Sequence, residues 1–246
     1  MNINSMSQGK KFDFSTKFIT QESVSFLALT ELTKDGCLLN RLLAKHDVAP
    51  IISGENCPRV GLMVPKFLQD SCEILDMWCV SQLRTRTKKM TNLCQTITIK
   101  IQLSTKIVVL TVVYCAPDAN VSTTRKLISK IAEYAGSHKN YVVLGDFNTD
   151  WKIASNRSEY RDGLGGILHQ VVSQVTRESI KVSNGKQKKS QTTIDLVFVS
   201  PSMKKLMKSV DIIKDTPSDH FLVDCTFDVA VPQKYVTRRY FLDPTR

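Results

Sequence analysis

Five polar segments each border an apolar run: LTE ending at Glu31, VVYCAP with Tyr114, LGDFN with Asp146 and Asn148, TTID with Asp195, and SDH with Asp219 and His220. Polar side chains at strand ends can meet at one mouth of a sheet, where a site can be built. Glu31 is a candidate ligand for a hard cation, because magnesium favours oxygen donors and few protein contacts. Taken alone, a surface glutamate is the ordinary reading of that position. Asp146 and Asn148 stand two apart, so an extended segment would put them on one face, where a carboxylate and an amide can position a water and hold a phosphate oxygen. The competing reading is an Asx-type turn capping the strand. Of the four histidines, His220 is the one set between a carboxylate and an apolar strand. A histidine oriented by an acid is a general-base or charge-stabilising arrangement, with Asp195 the candidate acid; a satisfied structural histidine is the plain alternative. Tyr114 closes a strand before a proline and can either reach a phosphate through its hydroxyl or simply cap the strand.

Positioning these residues requires strands. Residues 95–103 (QTITIKIQL) alternate strictly, with Ile97, Ile99, Ile101 and Leu103 on one face, the period of a half-buried strand. Ser104-Thr105-Lys106 turns that strand into Ile107 to Tyr114, its hairpin partner. Further strands are expected at 24–29, 60–64, 141–147, 194–200 and 220–229. Apolar spacings of three and four predict helices at 37–45 and 125–134, with a weaker pattern at 165–176. Strands with interspersed helices imply sheets covered by helices.

The 246 residues carry a net charge of +11, which favours a polyanionic partner such as nucleic acid over a neutral one. Seven cysteines, an odd count with no CxxC pair, suggest neither a disulfide framework nor a zinc site, and a reducing compartment follows. The N-terminus has no apolar core of a signal peptide, and the longest apolar runs are too short to cross a bilayer, so no membrane role is expected. The tail from Pro232 gains Pro and Arg and loses periodicity. We expect one domain over 1–229 and a linker or tail over 230–246, with Asn2 to Met6 reading as the end of a strand.

In order, NxN (Asn2, Asn4), Glu31, Tyr114, GDFN, ID and SDH resemble the endonuclease/exonuclease/phosphatase superfamily over about residues 2–229. Within it, VTRESIKVSNGKQKKSQTTIDLVFVS, the preceding GILHQVVSQ and the following SDHFLV are similar to the apurinic-like endonuclease domains of non-LTR (LINE-type) retrotransposons. The resemblance implies a four-layer α/β sandwich, two mixed β-sheets face to face with helices outside. It implies a Mg2+-dependent hydrolase, with Mn2+ as a substitute, that nicks one strand of double-stranded DNA to leave 3′-hydroxyl and 5′-phosphate ends and so primes reverse transcription. By the same resemblance Glu31 ligates the metal with Asn2 close by, and Asp219 sits near that metal or a second cation. Asp146 positions or deprotonates the attacking water and Asn148 orients it. His220, held by Asp195, and Tyr114 contact the phosphate. A reverse transcriptase domain is expected in a full-length parent, and the domain itself is expected to be a monomer acting in the nucleus or cytoplasm.

Basic clusters at Arg84, Arg86, Lys88 and Lys89 and at Lys186, Lys188 and Lys189 are the candidate DNA contacts, the second in a turn-rich loop that in this branch probes the target. A solvated loop is the alternative for that second cluster. Two rival functions keep the fold: a phosphodiesterase acting on RNA, lipid or inositol phosphate, and an inactive nucleic-acid-binding remnant.

Overall fold

The computed structural model describes residues 26–31, 48–52, 59–84, 89–183, 186–214, 216 and 218–230. Asn2, Arg86, the helix expected at 37–45 and the tail beyond residue 230 lie outside these residues.

The central layer is a six-stranded sheet. Its strands are β4 (Cys72–Arg84), β5 (Lys89–Gln102), β6 (Ile107–Cys115), β7 (Tyr141–Asp146), β8 (His169–Gln170) and β11 (Asp195–Val199), in the order β4-β5-β6-β7-β11-β8. β6 and β7 are parallel and every other neighbouring pair is antiparallel, so the sheet is mixed. The expected hairpin is present, with β5 running antiparallel to β6 from Cys94↔Cys115 to Gln102↔Ile107.

The alternating strand is buried on both faces rather than one. Ile97, Ile99 and Ile101 point into one core, and Thr96 and Thr98 are also buried. The hydroxyls on the second face are satisfied in a chain, Thr98 Oγ1 to Thr111 Oγ1 at 2.9 Å and Thr111 Oγ1 to Tyr141 Oη at 2.8 Å. Short polar side chains can therefore stand where helices cover the sheet.

Against the Ile97 face packs a second layer. It contains a three-stranded sheet, β1 (Leu27–Thr30), β3 (Val60–Pro65) and β2 (Val48–Ile52) in the order β1-β3-β2. Ala28, Val60, Leu62 and Val64 meet Ile97, Leu110, Val112 and Val197 in one core. The hairpin of β12 (Met207–Ile213) and β13 (Leu222–Phe227) adds Val210, Ile212, Val223 and Phe227 to the same core. α1 (Lys66–Gln69) is a single turn that buries Leu68. At about 25 cal/mol per Å2 of buried apolar surface, burial of this core stabilises the fold.

The other face of the large sheet is covered by α2 (Val121–Ser137) and α3 (Ala154–Leu164). α2 starts where Asn120 Oδ1 accepts the Thr123 N–H at 2.9 Å, an N-cap that extends the predicted helix by one turn. Leu127, Ile128 and Ile131 pack on Val109, Val113 and Tyr141. The architecture is an α/β sandwich of one mixed sheet, smaller antiparallel sheets and helices.

The helix expected at 165–176 is not formed. Gly165 and Gly166 take positive φ of 52° and 74°, Gly165 ends α3, and the chain then enters β8 beside β11. Left-handed glycines terminate helices, so the apolar spacing that followed them had a strand and coil to fill instead. α4 (Pro201–Leu206) begins with proline at its first turn. β9 (Arg177–Ser183) and β10 (Lys186–Thr192) pair as a separate two-stranded ribbon.

Candidate active site

The parallel pair β6 and β7 ends with Tyr114 directly beside Asp146. Gly145 makes that approach possible. It has φ 146°, and a Cβ there would fall 1.9 Å from the carbonyl oxygen of Val113, inside the neighbouring strand. The glycine of GDFN is thus a requirement of strand spacing.

Asp146 is wholly buried, and β11 places Asp195 opposite it as its antiparallel partner. The chain then leaves β7 in a tight turn. Asn148 has φ 47°, its N–H donates to Asp146 Oδ1 at 2.9 Å, and its side-chain Nδ2 donates to the Cys115 carbonyl at 2.7 Å. This is the Asx-type turn, and Asp146 and Asn148 do not share the face of an extended segment. The intervening Phe147 is anchored in the helical layer against Tyr160 and Phe198.

His220 closes the group. Its Nδ1 lies 2.9 Å from Asp195 Oδ2 and 3.1 Å from Oδ1, and both residues are buried. Burial alone would lower the proton affinity of the imidazole. The Asp195 hydrogen bond, with the charges of Asp195, Asp146 and Asp219, outweighs it and raises the pKa above its ordinary value. Asp146, Asp195 and His220 each offer a ligand atom within 4.8 Å of the others, so this buried trio can hold a metal ion. Two carboxylates against one imidazole leave a negative excess, and carboxylate oxygens suit a hard divalent cation.

Glu31 follows β1 with φ 58°, a left-handed conformation uncommon for a non-glycine residue and concentrated at functional sites. Its charge reaches the Tyr114 phenol, but it is not one of the three residues whose ligand atoms cluster. The Tyr114 phenol is pushed well up, first by burial and then by the charge of Glu31, with Arg59 acting in the opposite sense and Asp146 adding to the rise. Asp219 is not one of those three residues. Its Oδ2 accepts from Arg177 Nε at 2.9 Å.

Three residues that sequence reasoning did not single out hold the site together. Thr176 is fully buried, and its Oγ1 accepts the N–H groups of both Ile194 and Asp195 at 3.0 Å. Asp150 Oδ1 accepts the Thr193 N–H at 3.1 Å, tying the loop after GDFN to the start of β11. Arg177 bridges to His220 in a strand-like pair and holds Asp219. The signals were a second aspartate in GDFNTD and the pair Thr176-Arg177, which become interpretable once the partners are known.

Of the DNA-contact candidates, Lys188 and Lys189 are exposed on β10, which also contains Lys186, and Arg84 lies in β4. Lys189 is already engaged, its Nζ 2.8 Å from Glu178 Oε1.

The family model described as endonuclease-reverse transcriptase matches residues 108–224, the span from β6 to β13 that contains Tyr114, Asp146, Asp195 and His220. No curated protein matches the chain. Among solved structures, the endonuclease domain of TRAS1, a telomere-specific non-LTR retrotransposon, is similar with a TM-score of 0.63 and 15% identity, over 96% of this chain and 97% of that one. The D. rerio TDP2 complexed with single-strand DNA product gives 0.63 and 13%, over 89% and 91%. The 3′ phosphatase NExo from Neisseria, bound to product DNA hairpin, gives 0.61 and 18%, over 92% and 97%. At such identities the likeness speaks to the fold.

Proposed function

We propose that the chain is a member of the endonuclease/exonuclease/phosphatase superfamily and a Mg2+-dependent DNA endonuclease, the target-priming nuclease of a non-LTR retrotransposon, a reading supported by the family-model match over residues 108–224 and by the shared fold. The observation that carries this reading is the buried Asp195–His220 pair standing against Asp146 at one mouth of the sheet. A buried, acid-oriented imidazole beside a second carboxylate is the equipment of hydrolysis rather than of packing.

Glu31 is the proposed metal ligand beside Asp146, and Asn2, which lies outside the described residues, is proposed to act near that metal. When bound, a divalent cation neutralises charge on the phosphate and on the departing oxygen. Asp146 takes the proton of the attacking water as it adds to phosphorus. Asn148, through its two hydrogen bonds, fixes the geometry of the Asp146 carboxylate and the turn around it. His220, its Nδ1 held by Asp195, would present Nε2 to the phosphate and stabilise the negative charge growing on the non-bridging oxygens in the transition state. Tyr114 donates its hydroxyl hydrogen to a phosphate oxygen. The bond from phosphorus to the 3′ oxygen breaks, that oxygen gains a proton from solvent, and the products are a 3′-hydroxyl and a 5′-phosphate.

The net charge of +11 supports DNA as the substrate class, and Lys186 and Lys188 on the ribbon rooted beside His220 are the proposed phosphate contacts. A reverse transcriptase in the parent polypeptide, and action as a monomer in the nucleus, belong to the same proposal. The test is supercoiled plasmid incubated with Mg2+. Wild type is expected to convert it to the open circle, EDTA to abolish the conversion, and Asp146→Ala and His220→Ala to lack it. Equal relaxation by wild type and both variants would refute the proposal.

A further inference from the structure

Arg59 comes immediately before β3, one position beyond the Thr30↔Val60 pair that joins β1 to β3. The antiparallel register therefore sets its backbone beside that of Glu31. Its own N–H donates to Gln95 Oε1 at 2.7 Å, and Gln95 is buried in β5 as the antiparallel partner of Tyr114. Its guanidinium carbon stands 5.6 Å from the centre of the Tyr114 ring. Both ends of Arg59 are thus fixed on one rung of the sheet, the rung that Tyr114 extends to Asp146. Among the described residues no carboxylate engages the guanidinium as an ion pair.

We infer that Arg59 is a phosphate-binding residue of this site, its guanidinium gripping the non-bridging oxygens of a DNA phosphate along the Tyr114 wall of the pocket. The inference rests on the reading of the site as a DNA phosphodiesterase and adds a residue to it. The site otherwise gathers negative charge in Glu31, Asp146 and Asp195, while its substrate is itself an anion. A fixed cation at the mouth resolves that conflict for the phosphate that the metal does not neutralise. Arginine suits the place because its weakly hydrated plane can lie on an aromatic ring while its N–H groups still reach two oxygens. Lysine supplies the charge without the fork. A cation that merely caps the Tyr114 ring would leave DNA affinity and its salt dependence unchanged.

The experiment measures binding of a short fluorescent duplex by anisotropy across a salt series, with Ca2+ replacing Mg2+ to hold off cleavage, for wild type, Arg59→Ala and Arg59→Lys, alongside thermal melts. For Arg59→Ala we expect a Kd raised about tenfold, the equivalent of one charge-assisted hydrogen bond. We also expect a slope of log K against log salt smaller by about 0.9, the loss of one phosphate contact. Arg59→Lys is expected to keep the slope and recover part of the affinity. An Arg59→Ala protein that melts like wild type and binds with the same affinity and slope overturns the inference alone. Should Arg59→Ala fail to fold, Arg59→Lys decides: a wild-type Kd would show that the fork grips nothing, a raised Kd with wild-type slope that it does. Wild type that neither binds the duplex nor nicks plasmid overturns both the inference and the function it rests on.

Discussion

His220 Nδ1 sits 2.9 Å from Asp195 Oδ2, joining the bridge beside Arg177 to the first residue of β11. The pair fixes the orientation of the imidazole and favours its protonated form, and both partners are buried. Asp195→Asn keeps the shape and removes the charge. We expect nicking to fall on the order of a hundred- to ten-thousand-fold, the range for a positioned acid–base group. Unfolding free energy is expected to drop by about 1.5–3 kcal/mol, the range for a hydrogen bond to a charged group. Plasmid nicking rates and urea unfolding read the two separately, and wild-type values in both would contradict the pairing.

The same pair sets a pH dependence in metal-free protein. The folded-state pKa of His220 is raised, so its charge contributes stability that is fully present below the ordinary value of 6.5 and is lost as pH rises through the higher folded value. The stability difference between wild type and His220→Gln should therefore shrink with rising pH across that window. Urea titrations at a series of pH values check the sign, and a difference that grows with pH would contradict it.

Gly145→Ala should be destabilising far beyond an ordinary helix or loop substitution. The new Cβ would meet the Val113 carbonyl oxygen at 1.9 Å in a backbone with φ 146°, so β7 must move away from β6. We expect a loss of about 3 kcal/mol or more, in the range of strain and overpacking at special backbone positions. Separation of Tyr114 from Asp146 should abolish nicking in whatever protein folds. Near wild-type stability would show that the strand spacing is not tight.

Lys188 and Lys189 are neighbours with different prospects. On the paired register, Lys189 shares the ribbon face of Ile180 and Glu178 and is bound to that glutamate, while Lys188 lies on the face of Arg177. Lys188→Ala is expected to lower the salt slope of DNA binding by about 0.9 and Lys189→Ala to change it little. Equal slopes for the two variants would put the DNA elsewhere.

What the sequence made legible was the part with strong local signals. The two-residue period of Ile97, Ile99, Ile101 and Leu103 gave β5 and its hairpin, and SDH with TTID gave the Asp195–His220 pair. β4 escaped because it is an edge strand whose Ile74 and Met77 stay exposed, which blurs any alternation. α3 escaped because it buries just Tyr160 and Leu164, one turn apart. The apolar spacing of 165–176 misled because Gly165 and Gly166 take the left-handed conformation that stops a helix. The supports of the site, Thr176 under Asp195 and Gln95 under Arg59, join residues remote in the chain. No local pattern announces such contacts.

The proposed chemistry requires the carboxylates of Glu31, just after β1, and Asp146, at the end of β7, to meet at one cation beside His220. Its most direct test is a crystal structure with Mn2+ and a short duplex, located by anomalous scattering. We predict an anomalous peak between the carboxylates of Glu31 and Asp146, with a DNA phosphate within hydrogen-bonding reach of His220 Nε2. A peak on another surface, or Glu31 turned away from a metal held elsewhere, would contradict it.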